Sequence, residues 1–451
     1  MPLREALSTV RMERVAVVGP TAALRRILRA VGESGTVEFD EVTSGNGDRD
    51  TDAPAAAEPA ENTTGESAPS TSARETELDG YTAAAVVRGD VAGLVGWTPA
   101  TTVQPLTDRL RPAGGAIVRL PRPRWAVAPT LLSGTAMRRS LAPLVETYGT
   151  VPYADVDPTV LAAASYVLMF GMMFGDVGHG LLVLALAFAM RAGWPRQLAR
   201  FRRGWPLVAG AGLAATLFGF LYGEAFGPTG LVPVLWLAPL DRPVPLLVAA
   251  LGVGAVLLAS AYALGTVNRW REGGWPLATF APSGVAGTTL FAGVALIAAG
   301  WSYGIWWPIL IGTVTALAGL LLAFAGFVAD AGGGGAGWVQ ATVELFDTVV
   351  RLASNVMSFA RLAAFGLTHA ALGSVVWDGS HGLWTRGGLM IVGAGALFLV
   401  GNALAFALEA LVAAIQTLRL EYYELFSRVF QGQGRPFRPW RLSTDESGEP
   451  A

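Results

Sequence analysis

The sequence predicts a mostly α-helical, polytopic membrane protein, with about eight transmembrane helices and a small N-terminal α+β domain. Of its 451 residues, 52% are apolar, and the mean hydropathy is +0.46. Only 15% are charged, whereas soluble domains average about 25%. The charged residues are concentrated in the first third of the chain, and apolar runs follow it. The low and uneven charge therefore predicts a membrane-spanning domain after a polar one.

Residues 1–42 and 78–120 alternate hydrophobic strands with amphipathic helices, which predicts a small α+β cytoplasmic domain, with a ferredoxin-like fold as one candidate. The second segment repeats the order of elements in the first. The expected elements are strand 14–19, helix 21–31, strand 36–42, strands 83–87 and 92–96, a helix near 101–111 and strand 116–120.

The remaining non-membrane segments have polar or proline-rich compositions. Residues 43–77 are rich in Ser, Thr, Ala, Glu, Pro and Asp with almost no large apolar side chains. Such a stretch buries too little surface to offset the entropy of ordering, so it is predicted to be a disordered insert. Residues 121–158 are a predicted connector, 159–427 the transmembrane domain and 428–451 a cytoplasmic tail.

The transmembrane domain contains apolar runs near or above the roughly 20 residues that span a bilayer. They are 159–190, 205–224, 244–266, 281–300, 305–329, 341–376 and 387–427.

Arginine placement predicts the orientation. The loop 191–204 holds five arginines, so the positive-inside rule places it in the cytoplasm. No signal-peptide pattern opens the chain, so the N-terminal domain is expected on the same side. Residues 159–190 must then cross the membrane and return, and glycines around Gly175-Asp176 interrupt this run. This predicts two short helices, eight spans and both termini inside. One long tilted helix, with seven spans, is the alternative.

Several classes of chemistry lack a sequence signal. The chain has no cysteine, so it has no disulfide, thiolate metal ligand or cysteine nucleophile. A net charge of −2 does not indicate nucleic acid. The glycine run Gly332–Gly335 lacks the Lys and Ser/Thr of a phosphate-binding loop and is interpreted as a connector. No nucleotide motif, metal-ligand cluster or catalytic triad is recognisable, so no cofactor or metal is predicted.

A polar stripe inside an apolar run is the strongest functional signal. At about 100° per residue, Asp347, Ser354, Ser358, Arg361 and His369 fall within roughly 40° of one line on a helix. An ionisable residue in a membrane helix costs at least about 2.5–3.5 kcal/mol and usually marks an ion path. Arg361 lies near mid-span and stays charged at any relevant pH. The alternative is a structural arginine bonded to backbone carbonyls.

Two members of the stripe have plausible structural roles. Asp347 is followed at i+4 by Arg351, so a simple intrahelical ion pair is possible. His369 lies about 12 Å beyond Arg361 along the axis, and a lone histidine is more often a core residue than a proton relay.

The last span carries a second polar stripe. Asn402, Glu409 and Gln416 recur every seven residues, a spacing that drifts only about 20° per step. Arg419 lies about 15 Å from Glu409 along the axis. If Arg361 and Arg419 meet at one depth, the antiparallel helices bring His369 and Glu409 to a similar depth. A purely structural polar seam is the alternative.

Three further polar residues are given non-catalytic interpretations. Asp176 and His179, at the tip of the predicted hairpin, are expected to cap helix ends. Glu224 is expected to be solvated near the outer boundary of the membrane.

The chain resembles the membrane subunit of V-type and archaeal-type rotary ATPases, called subunit a in eukaryotes and subunit I in prokaryotes. The resemblance extends in order from residue 12 to residue 439. Its stretches are MERVAVVGP (12–20), LVGWTP (94–99), ETYGTVPYADVDPT (146–159), FGMMFGDVGHG (170–180), FGFLYGEAFG (218–227), SNVMSFARLAAFGLTHAALG (354–373) and LRLEYYELFSRVFQGQGRPFRP (418–439).

The resemblance implies roles for the polar residues. Arg361 matches the arginine that faces the carboxylate of a rotating ring of small membrane subunits, and Arg419 matches a second arginine. Asp347 matches the acidic residue that opens the cytoplasmic half-channel. The polar residues of the outer half-channel match His369, Glu409 and, more loosely, Gln416; Ser358 lies on the same stripe as Arg361.

The resemblance also implies an architecture and partners. It implies eight spans, with two long tilted C-terminal helices against the ring, in a prokaryotic cell membrane. The implied partners are the proteolipid c/K ring, peripheral-stalk and central-stalk subunits and the lipid bilayer. Without a nucleotide site, the chain is expected to be a non-catalytic, ion-translocating subunit of a proton-transporting ATPase or ATP synthase.

Two features depart from the family pattern. The family carries long coiled coils where this chain has 43–77, so its cytoplasmic arm is expected to be shortened. Arg351 is an unexpected positive charge beside Asp347. The rival interpretations are a secondary transporter or channel with a polar intramembrane site, and a non-transporting assembly scaffold.

Overall fold

The computed structural model describes residues 9–40, 71–123, 126–131, 140–141, 144–145, 147–429 and 434–442. They fall into two compact units. The first is a small domain made of 9–132 together with the segment that begins at Gly434. The second is a helical domain within 133–433.

An antiparallel sheet forms the small domain. Its strand order is β2-β4-β1-β5, and the short β3 pairs with β4. Alternating residues such as Val15 and Val17 are buried, as the period of two in a strand requires. The order is that of a β-α-β-β-α-β ferredoxin-like sheet, as predicted. The strands are β1 Met12–Pro20, β2 Glu38–Phe39, β3 Val86–Arg88, β4 Val91–Pro99 and β5 Ala116–Arg119.

Amphipathic helices supply the rest of this core. Helix α1, Leu24–Ser34, buries Leu24, Ile27, Leu28 and Val31, and this spacing places them on one helix face. It follows a 3-10 turn and ends at Gly35, whose φ of 56° suits glycine. Helix α3, Val103–Leu110, buries its own apolar stripe in the same core. The α+β prediction is confirmed.

Residues 43–70 of the predicted disordered insert lie outside the described residues. The C-terminal limit of that insert is wrong, because helix α2 spans Thr71–Ala83. Leu78 is buried, and the Tyr81 ring lies 4.7 Å from that of Trp440. These two apolar residues, three positions apart, give the helix a face to bury, although its average composition is polar.

Part of the predicted C-terminal tail belongs to the small domain. Trp440 is buried in the domain core, and its indole N–H donates a 2.7 Å hydrogen bond to Glu77. The backbone of Thr130 pairs with the tail on either side of Pro436. The interpretation of 428–451 as a separate tail is therefore corrected for 434–442, and 443–451 lie outside the described residues.

Long apolar helices build the second unit. Six helices of the described chain are long and apolar enough to cross a membrane, and two shorter apolar helices precede them, in agreement with the predicted fold class. The short helices are α4 Thr159–Met173 and α5 Val177–Ala192. The others are α6 Trp205–Tyr222 after a 3-10 segment, α7 Pro243–Phe280, α8 Val285–Tyr303, α9 Trp306–Asp330, α10 Gly334–Ser358 with α11 Ala360–Trp384, and α12 Met390–Leu420.

Helices α4 and α5 form the predicted hairpin. Contacts with α6 show that α4 runs parallel to it and α5 antiparallel, so α4 and α5 run in opposite directions. The contacts are Gly171 with Ala214, Gly175 with Phe218, Gly180 with Thr216 and Leu184 with Gly212. At 1.5 Å per residue the two helices are about 22 and 24 Å long, shorter than the roughly 30 Å hydrocarbon core.

The glycine run is a sharp turn between α9 and α10. Gly332, Gly333 and Gly334 all have φ near 74°, a conformation that glycine adopts without steric cost. The interpretation of this run as a connector agrees with the structure.

A break at Phe359 divides the long helix that carries Arg361. Phe359 is fully buried, and its ring packs on α7 at Gly254, where a Cβ would come within 2.2 Å of it. The α12 helix in turn continues as a π-helical segment, Glu421–Phe426, and ends at Val429. Both irregularities lie close to predicted site residues.

Candidate functional site

Five titratable side chains meet in the interior of the helical domain. They come from the hairpin, the loop after α6 and helices α11 and α12. Asp176 is fully buried, His179, Glu224 and His369 are nearly so, and the Glu409 side chain is 14% exposed. We refer to Asp176, His179, Glu224, His369 and Glu409 as the buried cluster.

The turn of the hairpin positions Asp176. Its carboxylate accepts the backbone N–H of His179 at 2.8 Å, which caps α5. Its other oxygen accepts the N–H of Gly227 at 2.9 Å. Asp176 is therefore a helix cap, as predicted, and it also ties the loop after α6 to the hairpin.

Glu224 is not solvated, and that prediction is wrong. Only 5% of it is exposed, because its backbone joins the hairpin: the N–H of Val177 donates to its carbonyl at 2.9 Å. The neighbouring Tyr222 is buried as well. The loop after α6 thus folds inward and carries its acidic side chain into the protein.

His369 and Glu409 join α11 to α12. Nδ1 of His369 is in hydrogen-bonding contact with the Glu409 carboxylate. The two helices are antiparallel along further contacts, between Val376 and Gly401 and between Gly379 and Leu397. The structure therefore brings together the two residues that axial distances predicted to share a depth.

His179 is buried, and neither ring nitrogen makes a hydrogen bond of normal geometry among the described residues, although the Asn402 side chain lies close to the ring. Its Nδ1 lies 3.8 Å from the Asp176 carboxylate, beyond hydrogen-bond distance. Its ring centroid lies 5.5 Å from that of His369 and 5.7 Å from that of Phe174. Buried polar atoms usually find a protein, water or ion partner, so these nitrogens mark a place for one.

Two cavities flank the buried cluster. One of about 360 Å³ is lined by His179, Asn402 and aromatic side chains. The other, of about 260 Å³, is lined by His369, Glu409 and mostly apolar neighbours. Each is large enough for several waters, at about 30 Å³ apiece. His179 and His369 therefore each lie beside an open, mainly apolar cleft that is large enough for water.

Arg361 is half-buried and makes no hydrogen bond or ion pair within the described parts of the chain. Backbone carbonyls of neighbouring helices do not hold it, contrary to the structural alternative. The register of α11 and α12, continued from the His369–Glu409 contact, puts Arg361 level with Thr417. Arg419 is two residues further, about 3 Å along the axis, and is exposed.

Asp347 and Ser358 do not reach the buried cluster. Asp347 pairs with Arg351 at 2.6 Å, and both side chains are at least half exposed, so the intrahelical alternative is what the structure contains. Ser358 donates to the carbonyl of Ser354 at 3.0 Å. The Gln416 side-chain oxygen is buried and has no hydrogen-bond partner in the described chain.

A second set of interacting polar side chains was not predicted from the sequence. When its amide is oriented to satisfy its neighbours, Asn355 of α10 donates to Glu424 and accepts from Arg428, both at 2.7 Å. Glu421, one turn earlier, is buried and accepts from Ser165 of α4 at 2.7 and 2.9 Å. The sequence offered one indication of this group, the two acidic residues Glu421 and Glu424 that closely follow Arg419. Both lie in the π-helical segment, a feature often found at functional sites.

Asp155 is a buried acid before the first helix. Neither carboxylate oxygen meets a donor among the described residues, and the Glu272 carboxylate lies close enough to share a proton with it. Burial, followed by repulsion from Glu272, raises the pKa of Asp155 to about 7. Arg269 and Arg271, on the same helix as Glu272, act in the opposite direction.

The chain is similar to subunits of V-type ATPases and A-type ATP synthases. A family model described as the V-type ATPase 116kDa subunit family matches residues 92–227. The A-type ATP synthase subunit I of Aeropyrum pernix is 28% identical over 403 residues, covering 78% of this chain and 57% of that protein.

Two further relatives are also named as subunits I of ATP synthases. The Halobacterium salinarum A-type ATP synthase subunit I is 30% identical over 378 residues, with 69% of this chain and 51% of the relative covered. A Treponema pallidum V-type ATP synthase subunit I 2 is 42% identical over 106 residues, which is 24% of this chain and 22% of that protein. The chain spans about half the length of most of the curated relatives it matches.

Proposed function

This chain belongs to the V-type ATPase 116 kDa subunit family, and we propose that it is the stator membrane subunit of a V/A-type rotary ATPase. It is a multi-pass membrane protein. Its proposed task is to provide two ion half-channels and a fixed positive charge beside a rotating proteolipid ring. The observation that carries this proposal is Arg361, a charged side chain that is half-buried and unpaired within the described chain.

The chemistry requires few groups on this subunit. A ring carboxyl group facing lipid stays protonated, because burial raises its pKa. Beside Arg361 the ionised form is favoured, so the proton leaves. The guanidinium cannot itself give up a proton at relevant pH and so blocks direct leakage between the half-channels. Two half-channels open to opposite sides then couple ion flow to rotation. Arg419, at a similar level on α12, adds positive charge there.

We assign the outer half-channel to the buried cluster. His369 and Glu409 are in contact, and the predicted Gln416 lies two turns beyond Glu409 on α12. The geometry adds Asp176, His179 and Glu224 to the residues inferred from sequence. Cavities beside both histidines leave space for the water that relays protons between these groups.

For the inner half-channel, Asp347 and Ser358 remain the predicted residues. The geometry adds Asn355 and Glu424, which bridge α10 to the end of α12 on the same side of Arg361. Glu424 is buried, so it places a carboxyl group inside the helical domain, whereas Asp347 is half exposed.

Replacement of Arg361 tests the central assignment. We expect Arg361→Ala to abolish ATP-driven proton pumping by the reconstituted complex and to leave assembly intact, since this side chain has no partner in its own described chain. Arg386→Ala, in the exposed turn before α12, is the control and should pump normally. Wild-type pumping by the Arg361→Ala complex refutes the assignment.

Copurification separates this proposal from a secondary transporter. The proposed partners are the proteolipid c/K ring and the peripheral-stalk and central-stalk subunits, with the chain resident in a prokaryotic cell membrane. A tagged chain should bring down two-span proteolipids and soluble nucleotide-binding subunits. Recovery of the tagged chain alone, from membranes that contain the complex, favours a transporter.

A further inference from the structure

We propose that Asp176, His179 and His369 form a binding site for a divalent transition-metal ion of the zinc type. One ligand atom from each residue lies within 4.8 Å of the other two, and all three residues are buried. The site needs neither Arg361 nor a ring subunit, so it goes beyond the proposed function. Its effect on transport does rest on that function.

The donor set selects the class of ion. Two imidazoles and a carboxylate suit Zn²⁺, Co²⁺ or Ni²⁺, whereas Ca²⁺ and Mg²⁺ prefer oxygen ligands throughout. With bonds of about 2.0–2.1 Å, tetrahedral ligand atoms stand about 3.3 Å apart. The three atoms must therefore close by at most about 1.5 Å, which side-chain rotation can supply.

The second observation is the buried imidazole of His179. It is 2% exposed, and neither nitrogen makes a hydrogen bond of normal geometry among the described residues, although the Asn402 side chain lies close to it. Burying such a group without a partner costs free energy. A metal ion bound between His179, Asp176 and His369 supplies the missing partner for one nitrogen.

Neighbouring groups already hold the other two ligands in place. The Glu409 carboxylate contacts Nδ1 of His369, leaving Nε2 as the nitrogen available to an ion. A carboxylate on the second nitrogen orients a metal-binding histidine and raises its basicity. Two backbone N–H groups fix the Asp176 carboxylate. The ligands are thus oriented before an ion arrives.

Adjacent space offers a path to the site. One cavity reaches His179 and the other reaches His369, so an ion or its remaining water ligands can be accommodated on either side. An ion bound to His369 would occupy the group that we assign to the outer half-channel. If that assignment holds, micromolar Zn²⁺ should block proton flow by competing with protons there.

Cobalt binding to the detergent-solubilised full chain tests the site without any transport assay. We expect one equivalent of Co²⁺ to bind, to give visible d–d absorption of a low-coordinate nitrogen-containing site, and to be displaced by Zn²⁺. His179→Ala and His369→Ala should lose this signal. The third and last histidine of the chain, His381, is exposed and stacks on Trp377, so His381→Ala is the matched control and should keep it.

Two results overturn the metal site. One is an absence of stoichiometric Co²⁺ binding by the unaltered chain, and the other is an unchanged signal in His179→Ala. Because a histidine variant can misfold, X-ray absorption at the zinc edge of the unaltered chain provides an independent measurement. Two imidazoles and at least one oxygen support the site, and a shell of oxygen alone overturns it. Glu409→Gln, which weakens the support of His369, should lower the affinity roughly 10–100-fold.

Proton flux through the reconstituted complex separates the two proposals. Inhibition is compared as a fraction of the metal-free flux of each complex, because His179→Ala itself is expected to lower that flux. Zn²⁺ inhibition of the unaltered and His381→Ala complexes, with a smaller fractional inhibition in His179→Ala, supports both the metal site and its position on the outer path. Stoichiometric binding without inhibition leaves the metal site standing and overturns the assignment of the outer path to this cluster.

Discussion

Arg361 combines two properties that are rarely found together in one residue of a folded chain. It is permanently charged, and it is half-buried without a counter-charge in the described residues. Removing an unpaired charge from water costs free energy. Water, or a partner outside this chain, must therefore stabilise the Arg361 guanidinium. In the function proposed above, a carboxylate on a neighbouring subunit supplies this partner. The half-buried, unpaired charge of Arg361 is what that proposal explains.

Glu409 is the residue whose change most directly tests the outer path. Glu409→Gln keeps the shape of the side chain and removes its charge, so the contact with His369 can persist but the group can no longer exchange protons. We expect proton pumping to fall by about tenfold or more, as for loss of a positioned proton-transfer group. Glu344→Gln, on α10 beside Gln340, is the control. Equal pumping by the two variants contradicts the assignment.

Asp155 makes stability depend on pH. Because its folded pKa is about 7 and its ordinary value is 3.8, the folded state keeps a proton that the unfolded state loses between these values. Stability must therefore fall as pH rises through this window and level off above it. Asp155→Asn should make this slope shallower and raise stability at pH of about 8 by up to a few kcal/mol, at about 1.4 kcal/mol per pKa unit.

Thermal unfolding in detergent, measured across this pH range, checks the Asp155 prediction. Asp330→Asn, at the exposed end of α9, should retain the slope of the unaltered chain. A slope in Asp155→Asn equal to that of the unaltered chain would assign the pH dependence to other groups.

At the scale of elements, small residues let the hairpin approach α6 closely. A Cβ on Gly219 of α6 would stand 2.3 Å from the backbone nitrogen of Val177. Membrane helices associate through such close packing, since lipid supplies no hydrophobic force between them. The same approach places Asp176 and His179 against α11. The packing of three elements thus decides where the cluster forms.

A pair of glycine substitutions tests this packing. Gly219→Ala should destabilise the helical domain by roughly 1–3 kcal/mol, because the methyl group meets backbone that cannot move aside. Gly252→Ala, on α7, meets nothing within 4 Å and should be neutral or stabilising by up to about 1 kcal/mol. Thermal unfolding of the purified chain distinguishes them, and a stable Gly219→Ala variant would contradict the close approach.

At the scale of the whole molecule, the absence of cysteine makes orientation directly measurable. We expect the arginine-rich loop and both termini to face the cytoplasm, and the loop after α6 to face outward. Arg200→Cys should therefore react with an impermeant maleimide only in inside-out vesicles, and Leu231→Cys only in right-side-out ones. The unaltered chain should not react. Labelling of both positions from one side refutes an odd number of crossings between them.

The sequence alone determined the class of the molecule and most of its elements. Hydropathy, glycine breaks and strand alternation are local properties, since each follows from a few consecutive side chains. They predicted the apolar helices, the hairpin at Gly175-Asp176 and the ferredoxin-like sheet. Axial spacing also predicted the shared depth of His369 and Glu409, because the rise of a helix is constant. The functional roles came from family resemblance.

Only the tertiary structure decided which polar groups meet. His179 and His369 stand 190 positions apart, and no local pattern links them. Glu224 and Glu424 could not be recognised as buried, because burial depends on what packs against a residue. The docking of 434–442 onto the small domain was hidden for the same reason. The sequence specifies the type of each side chain. Which side chains from distant segments come into contact depends on how the helices pack.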